Sequence, residues 1–249
     1  MTTVWLDQGV KLDKRMLLSR RSKPSLHPAV QQLLRRKRIP FSEAFKVRGK
    51  RITGTDVAVI TGDNPYMNLP KWFHKKLGLY KVRSNPAMQH GVDNEPKALK
   101  CYQASTGLTL VDDHVGFVLH GECFGATPDA VLYAAPILVE VKCPTGAIKL
   151  LKGIPKLYFP QVQMQLFCTG FRRCHFVRYW PETLTHPETI HIYAVDAQPA
   201  YMKAILPSLH EAHARLLQYE KDGAHTLPPL RKVKKVKKEK GGEQIQPLL

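Results

Sequence analysis

The sequence predicts an α/β protein, a central mixed β-sheet flanked by helices. Three observations carry that expectation. Short apolar runs of strand length and longer segments with helix-capping residues follow one another in the order αα-ββββ-α-ββ-α. The 249 residues are enough for one large core. A hydrophobic content of 43% with 23% charged residues is that of a globular chain.

The elements follow in order. Residues 1–40 are basic and broken by Pro24, Pro28 and Pro40, so they read as a loose, partly helical arm with a turn or two at "QQLLRRKR". The main domain is expected to run from 41 to 223. "TGTDVAVITG" (53–62) reads as a helix that Thr53 or Thr55 caps and Gly62 ends. "LPKWFHKKLGLY" is a second short helix with Trp72 and Phe73 on its apolar side. Asn85 and Pro86 open a longer helix that Gly107 stops, with a kink or restart expected at Pro96. "GFVLHG", "AVLYA" and "ILVEVK" read as strands, "YFPQVQMQLFCTG" as a helix, and "CHFVRYW" and "TIHIYAVD" as further strands. A closing helix over 200–223 is expected to break at Pro207, and 224–249 reads as a disordered basic tail.

The charge narrows the class of partner. The net charge is +18, and the run "RKVKKVKKEK" (231–240) accounts for only +6 of it. A basic excess spread over the whole chain points to a polyanion, nucleic acid first and an anionic membrane surface second. The five cysteines include no CxxC pair, which argues against a disulfide framework or a cysteine-held zinc or iron–sulfur centre. There is no apolar signal core and no apolar run of about 18 residues, so no membrane span is expected. The cysteine usage points to a reducing compartment, so an intracellular protein is expected. The basic run reads either as a nuclear address, placing the protein in a host nucleus, or as a DNA-gripping tail in a cytoplasmic one.

The chemistry gathers in "TPDAVLYAAPILVEVKCP" (127–144). The only turn available between the two apolar segments is Ala134–Ala135–Pro136. Folding there sets Asp129 across from Val141, one step from Glu140. Glu140 and Lys142 are i and i+2 on one strand and share a face, while Val139 and Val141 face the other way. Two neighbouring carboxylates repel unless a cation lies between them, and hard oxygen ligands suit Mg²⁺, with Mn²⁺ a natural substitute. A lysine beside such a centre orients or deprotonates water. In a basic protein, that constellation suits metal-assisted phosphodiester hydrolysis.

These residues resemble the PD-(D/E)xK nuclease signature. The wider set "KVRGKRITGTDV", "HGVDNEPKALKCY", "FGATPDAVL", "VEVKCP" and "YFPQVQMQLFCTG" is similar to the lambda-exonuclease or YqaJ-like viral recombinase branch, from about 41 to 196. The resemblance implies a restriction-endonuclease-like core and a Mg²⁺-dependent DNA exonuclease. Such an enzyme digests one strand of duplex DNA from a 5′ end and leaves 3′ single strand for recombination. The resemblance also implies a single-strand-annealing partner and a homotrimeric ring. It makes Asp129, Glu140, the Val141 carbonyl and Glu95 metal ligands, and Lys142 the lysine that activates water. Gln161 and Gln163 match the family's glutamine helix, with Gln163 and Phe167 turned toward the site. Arg48 and Thr55 match its phosphate-binding arginine and hydroxyl. The chain departs from the pattern in having Ala130 after Pro-Asp. For an extra upstream acid found in some members it offers only His120 or Glu122.

Overall fold

The computed structural model describes residues 2–6, 25–36, 38–39, 47–111 and 115–230. The expected domain start at Phe41 and the run 231–240 lie outside them. Two sheets organise the described chain. The larger has the order β1 (Thr3–Leu6), β9 (Thr189–Asp196), β8 (Arg173–Trp180), β7 (Ile137–Lys142), β6 (Ala130–Val131). Its pairs alternate between parallel (β1 with β9, β8 with β7) and antiparallel (β9 with β8, β7 with β6), so the sheet is mixed. The smaller sheet has the order β2 (Arg38–Ile39), β4 (Phe117–His120), β5 (Phe124–Ala126), β3 (Ile52–Thr53).

Helices cover both faces of the larger sheet. Helix α4 (Pro86–Thr106) packs Ala98, Cys101 and Tyr102 against Val139, Val141, Val177 and Tyr179. Helix α5 (Phe159–Thr169) packs Val162 and Leu166 on the opposite face against Leu138, Cys174 and Phe176. The Tyr102 hydroxyl meets Nδ1 of buried His175 at 2.6 Å, tying α4 to β8. Burial, helped by Arg173, lowers the His175 pKa to about 4, so this histidine is a neutral core residue.

Local chemistry explains most element ends. Thr53 caps α2 (Gly54–Ile60), and the Asp56 carboxylate returns to accept the Thr53 amide at 2.8 Å, the reciprocal half of a capping box. Of the two threonines the sequence offered, the cap is therefore Thr53. Asn68 and Asn85 cap α3 (Leu69–Lys76) and α4. Gly107 (φ 69°) closes α4 in the left-handed conformation that glycine adopts freely.

Three expectations change. Residues 1–40 are not simply an arm, because β1 joins the sheet beside β9 and α1 (Pro28–Arg35) buries Val30 and Leu33 in the core. Neither Pro96 nor Pro207 interrupts its helix. Helix α4 runs unbroken for 21 residues and α6 (Pro199–Asp222) for 24. Both prolines are exposed, as are Val92 and Lys203 four residues before them, so water can satisfy the carbonyl each ring leaves without a partner. Finally, 224–230 is not a free tail. Ala224–Thr226 form a 3₁₀ turn, Leu227 packs against the cluster of Trp72, Phe73 and Leu216, and His74 Nε2 meets the Pro228 carbonyl at 3.1 Å. Among the described residues, no helix is long and apolar enough to cross a membrane.

Candidate active site

The hairpin at 130–142 builds the centre. It pairs Ala130 with Val139 and Val131 with Leu138, one residue tighter than the sequence register suggests. The ladder stops before Asp129, whose side chain takes over: its Oδ2 accepts the Val141 amide at 2.7 Å. This draws the Asp129 carboxylate alongside Glu140. On β7, Leu138, Glu140 and Lys142 face α5 while Val139 and Val141 enter the core under α4.

Glu140 is 1% exposed, and its carboxylate is fully engaged. Oε1 accepts from the Lys142 ammonium and from Gln161 Nε2, and Oε2 accepts from Gln165 Nε2 at 2.6 Å. A buried carboxylate needs such donors to be tolerated. Burial alone would depress the Lys142 pKa, but the charges of Glu140 and then Asp129 outweigh it and the pKa is raised; the Tyr158 ring lies 5.4 Å from the ammonium. Asp129 is pushed well above the usual carboxylate range, first by burial and then by the charges of Glu140 and Glu95, with Lys142 only partly opposing.

The sequence-predicted residues divide as follows. Asp129, Glu140 and Lys142 come together, and Gln161 joins them. Glu95 is half-buried on α4, near enough to raise both Asp129 and Cys143. Gln163 does not join. It is buried on another side of α5, where its Nε2 donates to the Asp196 carbonyl at 2.9 Å and its Oε1 accepts the Gln198 amide at 2.7 Å. Phe167 likewise stacks on His120 and Phe124, and Glu122 is exposed. The second glutamine on Glu140 is Gln165, which sequence reasoning missed. Its signal was the spacing: 161 and 165 are i and i+4 and share a helix face, whereas 161 and 163 do not.

The fit to a cation rests on the donors present. Asp129 and Glu140 place two carboxylates against one ammonium, and the Gln165 Oε1 and Thr127 Oγ1 atoms beside them are buried without a partner. Among the described residues, no three acids, histidines or cysteines cluster as a closed ligand cage. Two carboxylates and open positions match how Mg²⁺ is held, which keeps most of its shell for water and phosphate oxygens.

A second feature adjoins this centre. Arg48, Gly49, Thr53, Thr55, Lys75 and Gly78 line a cleft of about 430 Å³ floored by Asp56 and Lys76. The Lys76 ammonium is buried, 2.6 Å from Asp56 Oδ2, and donates to the Arg48 carbonyl at 3.0 Å and the Arg51 carbonyl at 2.5 Å. Burial raises the Asp56 pKa, but Lys76 and then Lys75 outweigh it and hold this carboxyl below its usual range. Asp56 thus neutralises Lys76, leaving Arg48 and Lys75 as the cations of the cleft. The Arg48 guanidinium lies 5.6 Å from the centre of the Phe117 ring. That ring occupies the space of a side chain at Gly125, where a Cβ would overlap the ring atoms, so position 125 must be glycine.

Comparison with known proteins bears on the family and the fold. No curated protein matches the chain. Among solved structures, the alkaline exonuclease LHK-Exo from Laribacter hongkongensis is 25% identical with a TM-score of 0.56, over 73% of this chain and 96% of that one. The same enzyme in complex with dAMP gives 25% identity and a TM-score of 0.56, with 97% of its chain covered. A phage-related exonuclease from Haemophilus somnus 129PT shares the fold at 13% identity and a TM-score of 0.58, over 69% of this chain and 96% of that one. The model of the YqaJ-like viral recombinase domain matches residues 44–172, more than half of the chain, and the protein belongs to that family.

Proposed function

We propose that the protein is a Mg²⁺-dependent DNA exonuclease that hydrolyses one strand of duplex DNA from a 5′ end and leaves 3′ single strand for recombination. The observation that carries this reading is the buried Glu140, which gathers Lys142, Gln161 and Gln165 beside Asp129. Family membership and the likeness to alkaline exonucleases support a nuclease acting in recombination.

Asp129, Glu140 and the Val141 carbonyl would hold the cation, with Glu95 reaching it directly or through water. A bound Mg²⁺ supplies Lewis acidity toward a phosphate oxygen and toward water. The protein's own residues do the remainder. Gln161 and Gln165 fix the Glu140 carboxylate, so its orientation does not depend on the cation. Lys142 is partly exposed and offers an ammonium that orients the attacking water and balances charge building on the phosphate. Arg48, Thr55 and Lys75 offer a terminal phosphate two cations and a hydroxyl in one cleft, and an arginine fork suits that group. A site for the end of a strand favours exonucleolytic over internal cutting. The cleft suits duplex ends as the substrate; an annealing protein for the product strand and a ring of three copies are what the family resemblance implies.

The test uses duplexes labelled at either end and carrying a 5′-phosphate or 5′-hydroxyl, incubated with Mg²⁺ or with chelator. Mononucleotides released from the 5′-labelled end, only with Mg²⁺ and faster from phosphorylated ends, are the expected result. Release from the 3′ end would reverse the polarity. Internal nicks alone would make the protein an endonuclease, and Glu140→Ala with full activity would displace the site.

A further inference from the structure

Residues 143–158 connect β7, which carries Glu140 and Lys142, to α5, which carries Gln161 and Gln165. The segment has neither helix nor strand. Connections of this length inside a compact domain are uncommon and tend to be functional. This one is tied down by its backbone. Trp180 Nε1 donates to the Gly146 carbonyl at 2.9 Å, Arg178 Nη1 to the Lys149 carbonyl at 2.7 Å, and the Leu151 amide to the Tyr193 hydroxyl at 3.2 Å. Leu151 and Ile154 pack on the core below. Arg178 is itself held, with its guanidinium 4.6 Å from the Trp180 ring.

The anchors place this strap at the catalytic end of the sheet. Arg178 pairs in register with Lys142 on the adjacent parallel strand, so the strap crosses the carboxyl ends of β7 and β8. Ligands of open α/β sheets bind in that region. Its last residue, Tyr158, stands against Lys142. Because main-chain atoms make the tethers, the polar side chains stay in solvent: Lys149, Lys152 and Lys156 are all exposed. Residues 143–158 contain no acid. Both ends of the strap thus lie at the active centre, and the loop between them carries three exposed cations on a tethered backbone with no acid in the segment.

Resting on the nuclease reading above, we propose that residues 143–158 form a backbone track: Lys149, Lys152 and Lys156 hold successive phosphates of the DNA leading into the Asp129–Glu140 centre. Tethering the strap removes much of the ordering cost that a mobile lysine loop would incur on binding. The lysines meet phosphate, so the track is independent of base sequence.

The experiment measures duplex affinity by fluorescence anisotropy across a salt series. It compares wild type, the triple variant Lys149→Gln, Lys152→Gln, Lys156→Gln, and a control, Lys203→Gln with Lys221→Gln on α6. Removing one lysine–phosphate pair lowers the slope of log K against log salt by about 0.9, so the triple variant should drop by about two to three units and bind roughly tenfold or more weakly at moderate salt. The control should keep the wild-type slope. The substituted lysines are exposed, and a wild-type melting temperature will verify the fold. A triple variant with unchanged slope while wild type still digests DNA overturns the track alone. An equal loss per charge in the control also overturns it, by making the effect one of net charge. Wild type that neither binds nor cuts duplex DNA overturns the nuclease reading and the track with it.

Discussion

Gly54 lies directly against Gln161. A Cβ at position 54 would stand 3.1 Å from the Gln161 Cγ and 3.2 Å from its carbonyl oxygen. The first residue of α2 therefore lies against the helix residue that donates to Glu140, and the packing of α2 on α5 joins the Arg48–Thr55 cleft to the carboxylate centre. Gly54→Ala should push Gln161 by a few tenths of an ångström. We expect a stability loss of about 1–3 kcal/mol from overpacking and a disproportionate fall in kcat. Melting curves and single-turnover rates on one preparation will check this. An alanine variant with wild-type kcat would show that the two sites are not coupled.

Asp129→Ala and Glu140→Ala should abolish hydrolysis and spare DNA binding, since the basic surface supplies most of the affinity. The raised Asp129 pKa adds a stability signature in chelator. Below about 3.8 the carboxyl is protonated in both folded and unfolded chains. Above that value the unfolded chain ionises while the folded one keeps its proton, so this group's contribution falls as pH rises toward the folded pKa. Asp129→Asn, which still accepts the Val141 amide, should therefore melt higher than wild type by a margin that grows as pH rises above about 4. Mg²⁺ should stabilise wild type and not the variant. A margin independent of pH would contradict the raised pKa.

Lys142→Ala should lose more activity than Lys142→Arg, with both strongly impaired. Arginine can keep a charge on Glu140 Oε1, but its planar group cannot take the place of a compact ammonium beside Tyr158. Rates at saturating DNA decide this. Wild-type turnover from the alanine variant would reduce the lysine to a partner for Glu140.

Arg48→Ala should reduce the rate ratio between 5′-phosphoryl and 5′-hydroxyl ends more than it reduces overall affinity. Arg48 and Lys75 are the unneutralised cations of the cleft, because Lys76 is spent on Asp56. Competing the two ends in one reaction measures the ratio directly. A ratio unchanged in the variant would remove the terminal phosphate from this cleft.

The tail should be removed after Leu230 rather than after Gly223. A chain ending at 230 should keep its melting temperature and active site while its salt slope falls by a few units, since 231–240 holds seven basic residues. A chain ending at 223 loses the packing of Leu227 and the Pro228 bond to His74, so it should also melt lower. An unaltered salt slope in the longer chain would assign the basic run to cellular address alone.

Asp129, Glu140 and Lys142 were legible in the sequence because the information that joins them is local. One turn at 134–136 and the two-residue period of a strand suffice, even with the register off by one. Capping at Thr53, Asn85 and Gly107 was legible for the same reason: a helix end is decided by residues within a turn of it. Other features wait on tertiary structure. Whether Gln163 or Gln165 meets Glu140 depends on how α5 is rolled on the sheet, which packing of Val162 and Leu166 against Leu138 and Phe176 determines. The pairing of β1 with β9 joins opposite ends of the chain, and nothing near Thr3 announces it. The burial of Lys76 on Asp56, and the tether from Arg178 to the Lys149 carbonyl, likewise need elements that meet only when the core closes. Local sequence chose the chemical groups; long-range packing decided which of them face one another.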